Sequence, residues 1–447
     1  MASWQSLPTE IHLAIVRLLD VHPLSALSQT DKHTHALCTP YIFQSVTAPS
    51  FGALQAFFNH VPPAYGTHIR ALDISTKYPT NPADSTLEPG TPRTDALVRL
   101  LRTTPRLERL VLRLSGGLAP HIVAAFPALT RLTHLEILNA EDEDVAPLSE
   151  RTIVAIALAL PNLSSLSLTR ITRSLSSAQD ISPCIPVPLV KNDTADFPAD
   201  EPPVLSLPTL FTIPTLRHLA IRDTHLGDRR FNPTLLSATA PLESLEIGAY
   251  DGVAPAENAS WTGRLMECAG PALTHAVLSA ALPVTPTLSF PALKSIRMTP
   301  LMPPAGIPDT LAALAEAGAP LARVEVECLV DDVEDVCEEI ADAGCTGSWE
   351  LYLRIVRELE GDVLATSRAC KGPIVLDADV RDTLRRLERE GMCITLEGAI
   401  VEEDEDDDSG SDWDERTVVD DAAVPEKAAL RASFAEMEGV RAQEEPW

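Results

Sequence analysis

Apolar positions along this chain recur in two rhythms. In the opening stretch SLPTEIHLAIVRLLD (residues 6–20) they fall three and four apart, the spacing of a helix. Ile11, Ala14, Ile15, Leu18 and Leu19 form one stripe, while Leu13 and Val16 form a second patch on the opposite side, among His12, Arg17 and Asp20. Pro8 suits a first helical turn, Thr9 is placed to cap it, and Glu10 lies near the positive end of the helix dipole. A short helix opened by Pro23, with Leu24 and Leu27 apolar, comes next. A third is expected from about Asp31 to Cys38, stopped before Pro40. Such a small bundle buries little surface by itself, so its second apolar patch is expected to be covered by another polypeptide or by the rest of the chain.

The second rhythm is apolar, two variable, apolar, variable, apolar. It occurs as IRALDI at 69, LERLVL at 107, LTHLEI at 132, LSSLSL at 163, LRHLAI at 216, LESLEI at 242, LTHAVL at 273, LKSIRM at 293 and LARVEV at 321. The starts are 38, 25, 31, 53, 26, 31, 20 and 28 residues apart. Period-two alternation marks each stretch as a short strand with one buried face. Helical patterns lie between them at 94–103, 149–160, 258–270 and 309–319, the last with Asp309 as cap and Gly318 at its end. Strand–helix alternation at this period predicts an α/β fold with a parallel sheet and helices outside, in which each unit needs its neighbours to cover its apolar face. Residues 172–209, rich in Pro, Ser and Asp, account for the spacing of 53 and are expected to form an exposed, partly disordered loop; 76–93 is a smaller interruption. Beyond the last motif, 333–344, 350–361 and 380–391 read as amphipathic helices and 392–398 as a closing strand, together a region that would cap the end of the array.

The run L-P-x-E-I…I…L-L-D…L-x-x-L-S-Q-T…L…Y-I-F-x-x-V resembles the F-box, above all its fungal form with a "tPyiF" segment after the third helix. Leu7, Pro8, Glu10, Ile11, Ile15, Leu18, Leu24, Leu27, Ser28, Leu37 and Phe43 match; the frequent Trp of the third helix is absent, with His35 near its place. The resemblance implies docking to the adaptor subunit of an SCF-type (cullin–RING) ubiquitin ligase and, through it, to cullin. The adaptor contact would fall on Leu7, Pro8, Glu10, Ile11, Leu13, Ile15, Val16, Leu24 and Leu27. The later motifs resemble leucine-rich repeats in degenerate form. Ser115, Ala140, Ile171, Thr224 and Tyr250 stand where the usual Asn would be. These resemblances imply an F-box helical bundle at 1–46 and an irregular leucine-rich-repeat-like solenoid at 47–332 carrying the 172–209 insertion. A capping region at 333–400 and an acidic, disordered tail at 401–447 would follow.

Charge sharpens this picture. The 447-residue chain carries a formal −29. Glu402 to Trp447 holds 17 acids against 4 bases, leaving −16 for the remainder. Nucleic acid is therefore not an expected partner, since phosphate backbones need a basic surface. Eight scattered cysteines, without a C-x-x-C pair or an N-terminal leader pattern, suggest reduced thiols in a cytoplasmic or nuclear protein. No apolar run approaches membrane-spanning length.

Catalytic signatures are missing: there is no G-x-x-x-x-G-K-[ST], G-x-S-x-G or H-E-x-x-H. His33 and His35 would face different ways on one helix, and Cys328, Cys337 and Cys345 are widely spaced, so neither a metal nor another cofactor is expected. The expected working surface is instead the open face of the sheet, where Arg109, Arg113, His134, His218, Arg222, His275, Arg297 and Arg323 would meet a target protein. Asp73, Glu136, Glu246, Glu325 and Glu327 share that face. The expectation is a non-catalytic substrate receptor, the alternative a protein-interaction scaffold that joins no ligase. Ser409 and Ser411, each with an Asp three residues on, have the spacing of acid-directed phosphorylation sites.

Overall fold

The computed structural model describes residue 4 and residues 7–77, 91–175, 205–235 and 240–356 except 252, 284–288, 330–331 and 343–348, with short further pieces between 177 and 193 and between 373 and 400. The expected tail at 401–447, most of the 172–209 insertion and the interruption from 78 to 90 lie outside the described residues.

Three helices come first: α1 (Thr9–Leu18), α2 (Val21–Ser28) and α3 (Lys32–Ile42). Pro8, not Thr9, holds the N-cap position of α1. Asp31 caps α3, its Oδ1 accepting the Thr34 N–H at 2.9 Å. Pro40 does not stop α3 but sits inside it, within the last turn. Its ring removes one backbone donor there without breaking the turns before it. Val16, Leu24 and Cys38 form a small core flanked by Leu19, Leu27, Tyr41 and Ile42, separate from the main core. Phe43 links the two units: it packs on the main core and its ring centroid lies 4.9 Å from that of Tyr65.

The remainder runs β1 (Ser45–Ala48), α4 (Phe51–His60), β2 (Ala71–Ser75), α5 (Thr91–Thr103), β3 (Arg109–Leu114), β4 (His134–Asn139), α6 (Glu150–Leu158) and β5 (Ser165–Thr169). Two short strands, β6 (Arg173–Ser174) and β7 (Leu189–Val190), pair with each other at the insertion. Then come β8 (His218–Arg222), β9 (Ser244–Ile247), α7 (Pro255–Ala269), β10 (His275–Leu278), β11 (Ser295–Met298), α8 (Gly306–Glu316), β12 (Arg323–Leu329), α9 (Val333–Asp342) and β13 (Glu350–Val356). Finally, β14 (Pro373–Ile374) pairs with β16 (Ala399–Ile400), with β15 (Cys393–Glu397) between them in sequence.

Each of the nine repeated stretches supplies one strand of a 12-stranded sheet whose order, β1-β2-β3-β4-β5-β8-β9-β10-β11-β12-β13-β15, follows the chain. Every pair is parallel. Leu72, Leu110, Leu135, Leu166, Leu219 and Leu245 stand side by side in one register row, all 2% exposed or less. They join one apolar core with Leu97 and Leu101 of α5, Ile153 and Ile156 of α6, Leu265 of α7, Leu314 of α8 and Ile340 of α9. Burying each such side chain contributes about 1.5–3 kcal/mol. Parallel sheets are usually covered on both faces. Here the alternate positions, such as Asp73, Glu136, Ser167 and Glu246, are only half-buried, so helices cover one face and the other stays polar.

Three expectations need correction. Residues 350–356 form β13, not a helix. Leu351, Leu353 and Ile355 are each 1% exposed while Tyr352 and Arg354 alternate with them, so period two outweighs the helical reading. With β15 it carries the sheet two parallel strands past β12. Helix α8 begins at Gly306, upstream of the expected Asp309 cap. The described ends of the 172–209 insertion are not an exposed loop. Arg173 is fully buried, with Nε 3.1 Å from Glu150 and Nη2 2.7 Å from Asp228. Glu150 also accepts the Ser174 N–H at 2.9 Å and the Leu207 N–H at 3.3 Å, tying both ends of the insertion to the start of α6.

Candidate functional site

Two surfaces carry the residues singled out from the sequence. The first is α1. Its faces differ in part from those expected: Val16 is fully buried and His12 is 3% exposed, while Leu18 of the apolar stripe is 86% exposed and Ile11, expected at the contact, is 45% exposed. The reason is local. Trp4 stacks on His12 with ring centroids 4.2 Å apart, and the His12 Nε2 lies 2.7 Å from the Trp4 carbonyl oxygen. The Trp4 indole N–H donates to Thr34 Oγ1 at 2.9 Å. An imidazole held by ring and backbone can turn inward, and it carries Val16 with it.

Val16 and Leu24 are therefore internal, at 0% and 3% exposed, and cannot be contact residues. Leu27 and Leu19 are half-buried against the same small core. Pro8, Glu10, Ile11, Ala14 and Leu18 are exposed, and Leu7 and Ile15 are half-buried. The apolar stripe is thus split: Ile11, Ala14 and Leu18 face outward, while Leu19 packs on the small core. Leu13 is half-buried and lines a cleft of about 260 Å³ between the bundle and the start of the sheet, with Leu37, Pro40 and Tyr41 on one side and His68, Arg70 and Arg106 on the other.

The second surface is the polar face of the sheet. The register gathers Arg109, His134, Ser165, His218, Ser244, His275, Ser295 and Arg323 into one row running across the strands. A second row, two residues along, holds Glu136, Ser167, Ala220, Glu246, Val277, Arg297 and Glu325. Most of the arginines are already engaged. Arg113 pairs with Asp73 at 3.1 Å, Arg222 chelates Glu246 with both nitrogens, and Arg297 pairs with Glu327. Arg323 reaches Glu325 at 3.5 Å and lies 3.9 Å over the Tyr352 ring. Arg109 and His218 are exposed and make no ion pair or hydrogen bond among the described residues. Burial, aided by Arg297 and Arg323, lowers the pKa of His275 against the opposing pull of Glu325 and Glu246. The expected target-binding cations therefore share one face, but Arg113, Arg222 and Arg297 form cross-strand pairs with its carboxylates, and Arg323 pairs with Glu325 of its own strand.

A third cluster escaped the sequence analysis. At the C-terminal ends of β5 and β8, Arg170 pairs with Asp223 at 2.8 Å beside the buried Glu143. Burial and the neighbouring Asp223 push the Glu143 carboxyl up to about 7. The same carboxylates, after burial, raise Tyr250, whose ring meets His225 at 5.5 Å. Burial and Arg173 hold His225 down at about 4. These residues are far apart in sequence and fit no motif spacing; only strand ends lying side by side unite them. Cys328 and Cys337 sit in the core, where burial raises both thiols to about 12. No cluster of metal-ligating side chains and no helix long and apolar enough to cross a membrane is present among the described residues.

No family model matches this chain, and no curated protein matches it in sequence.

Proposed function

We propose that this protein is a non-catalytic receptor subunit of an SCF-type ubiquitin ligase. Its F-box-like bundle docks on the ligase adaptor, and its leucine-rich-repeat-like arc holds a target protein. The observation that carries this reading is the outward apolar flank of α1, with Ile11 and Leu18 at 45% and 86% exposed, on a bundle whose small core is complete without them. Isolated exposed apolar residues are ordinary on protein surfaces, but a stripe along one helix is the form of a helix that docks. The docking face is Leu7, Pro8, Ile11, Ile15 and Leu18. The strictly sequential parallel order and the single covered face support the repeat reading. The mechanism is proximity: two binding events on one chain raise the local concentration of target lysines near the catalytic subunits.

Co-expression with an adaptor subunit followed by size-exclusion chromatography tests the reading. Co-elution that is lost in Ile11→Asp supports it; separate elution of the intact proteins rejects it. A scaffold that joins no ligase is the second reading. It is favoured by the burial of Val16 and Leu24, which narrows the surface left for an adaptor.

A further inference from the structure

Across eight consecutive strands, the row from Arg109 to Arg323 holds no carboxylate. It alternates imidazoles and serine hydroxyls between two terminal guanidinium groups, every one able to donate a hydrogen bond to an oxyanion. Glu350 follows Arg323 in the same row and accepts from the Tyr352 hydroxyl at 2.9 Å; the other carboxylates of this face lie further along the strands, and Glu246 and Glu325 are turned toward Arg222, Arg297 and Arg323. Beside the row, Lys294 is exposed, while Glu243 pairs with Arg217 and Glu108 with Arg70, each at 3.6 Å. In a chain of net charge −29, a band free of acids is an exception.

The chain itself carries the complementary segment. Residues 402–415, EEDEDDDSGSDWDE, contain ten acids in fourteen positions. They begin just after β16, and β15 lies two strands beyond Arg323 in the sheet. Seven inter-strand steps of about 4.8 Å make the row roughly 34 Å long. Fourteen extended residues reach about 46 Å, enough to cross from the sheet edge and lie along the row.

We propose that the acidic segment 402–415 docks in its own chain across the row from Arg109 to Arg323. There it occupies the surface a target would use, so that an acidic or phosphorylated target must displace it. The regulatory consequence rests on the reading of this face as a receptor surface; the docking itself does not.

Zero-length carbodiimide coupling of the full chain, followed by peptide mass spectrometry, tests the docking. The expected result is an amide link from acids of 402–415 to Lys294, in preference to Lys32 at the start of α3 and Lys77 just after β2. Its yield should fall about tenfold when salt is raised to 1 M, because exposed charges are then screened within about 3 Å. The triple change His218→Gln, His275→Gln and Arg323→Gln should lower the yield at Lys294 while far-ultraviolet circular dichroism and adaptor co-elution stay unchanged. Equal coupling to all accessible lysines, or coupling at Lys294 that ignores the triple change, overturns the proposal. An equimolar mixture of isotopically light and heavy chains identifies the occupant: links within one chain support the proposal, and links between chains replace it with a second copy. Adaptor co-elution is read separately, so failure of the docking and failure of the receptor reading remain distinguishable.

Discussion

Arg170 Nε donates to Asp223 Oδ2 at 2.8 Å, and both residues hold left-handed backbones, with φ of 57° and 44°. Such conformations cost non-glycine residues on the order of 1–3 kcal/mol each. Side chains reaching across from β5 to β8 lock both strand ends into this turn. Asp223→Ala should therefore destabilise the fold by about 1–3 kcal/mol, keeping the backbone strain while leaving Arg170 unpaired. Asp223→Gly should lose less, because glycine relieves the strain. Urea unfolding of both variants beside the parent checks the order, and an equal loss in the two would show that the backbone stores nothing there.

The carboxyl of Glu143 should make stability depend on pH. It faces Asp223, Asp142, Arg170 and Thr172, and its folded pKa of about 7 lies above its usual 4.5. The folded chain holds this proton more tightly than the unfolded one. The contribution is complete below about pH 4.5 and is lost as pH rises through 7. The full span is on the order of 3 kcal/mol. His225 acts oppositely: with its folded pKa lowered from 6.5 to about 4, its contribution is complete above 6.5 and is lost as pH falls toward 4. Melting temperatures followed from pH 5 to pH 8 should rise with pH up to about 6.5 in Glu143→Gln, where the His225 contribution is no longer opposed, and should rise less or fall in the parent.

On α1, burial separates folding from docking. Leu18→Ala should change stability by less than about 0.5 kcal/mol, since surface substitutions seldom do more. Val16→Ala should cost about 2 kcal/mol by opening a cavity beside Leu24 and Cys38. Chemical denaturation of the two variants reads this directly. Ile11→Asp and Leu18→Asp should abolish adaptor capture without altering the circular dichroism. Capture that survives both changes would dismiss the outward flank as the docking face.

Arg173 has Glu150 and Asp228 as its buried partners, and Asp228 also pairs with Arg230 at 2.7 Å. Removing one member leaves charge buried and uncompensated, which costs about 3–5 kcal/mol. Arg173→Met should therefore destabilise strongly and free the ends of the 172–209 insertion. Limited proteolysis should show new cleavage between Arg173 and Leu207 before the rest of the chain is cut. Unchanged protection would mean that other contacts hold the insertion.

Much of this architecture is legible because period-two alternation and burial on one face are the same fact seen twice. Leu110 and Leu112 are apolar two apart, and both become fully buried. The pattern misled where two periods fit one stretch, as at residues 350–356, and where a polar residue found an unusual partner. His12 appeared to mark the solvent side of α1, but Trp4 supplies it with a ring and a carbonyl, so the helix is rotated. The Pro- and Ser-rich composition of 172–209 concealed anchors at its ends, because a lone Arg173 reads as surface until Glu150 and Asp228 are placed beside it.

By itself the sequence determined an α/β chain with nine of its strands in place and a small helical unit in front, since those depend on local periodicity alone. It also determined which side chains share the open face, since alternate residues of a strand point the same way. Tertiary structure decided which flank of α1 looks outward and which arginines are neutralised by neighbouring strands. It also brought Arg170, Asp223 and Glu143 together. Those outcomes depend on contacts between residues far apart in the chain, and register between strands is set only when the strands pair.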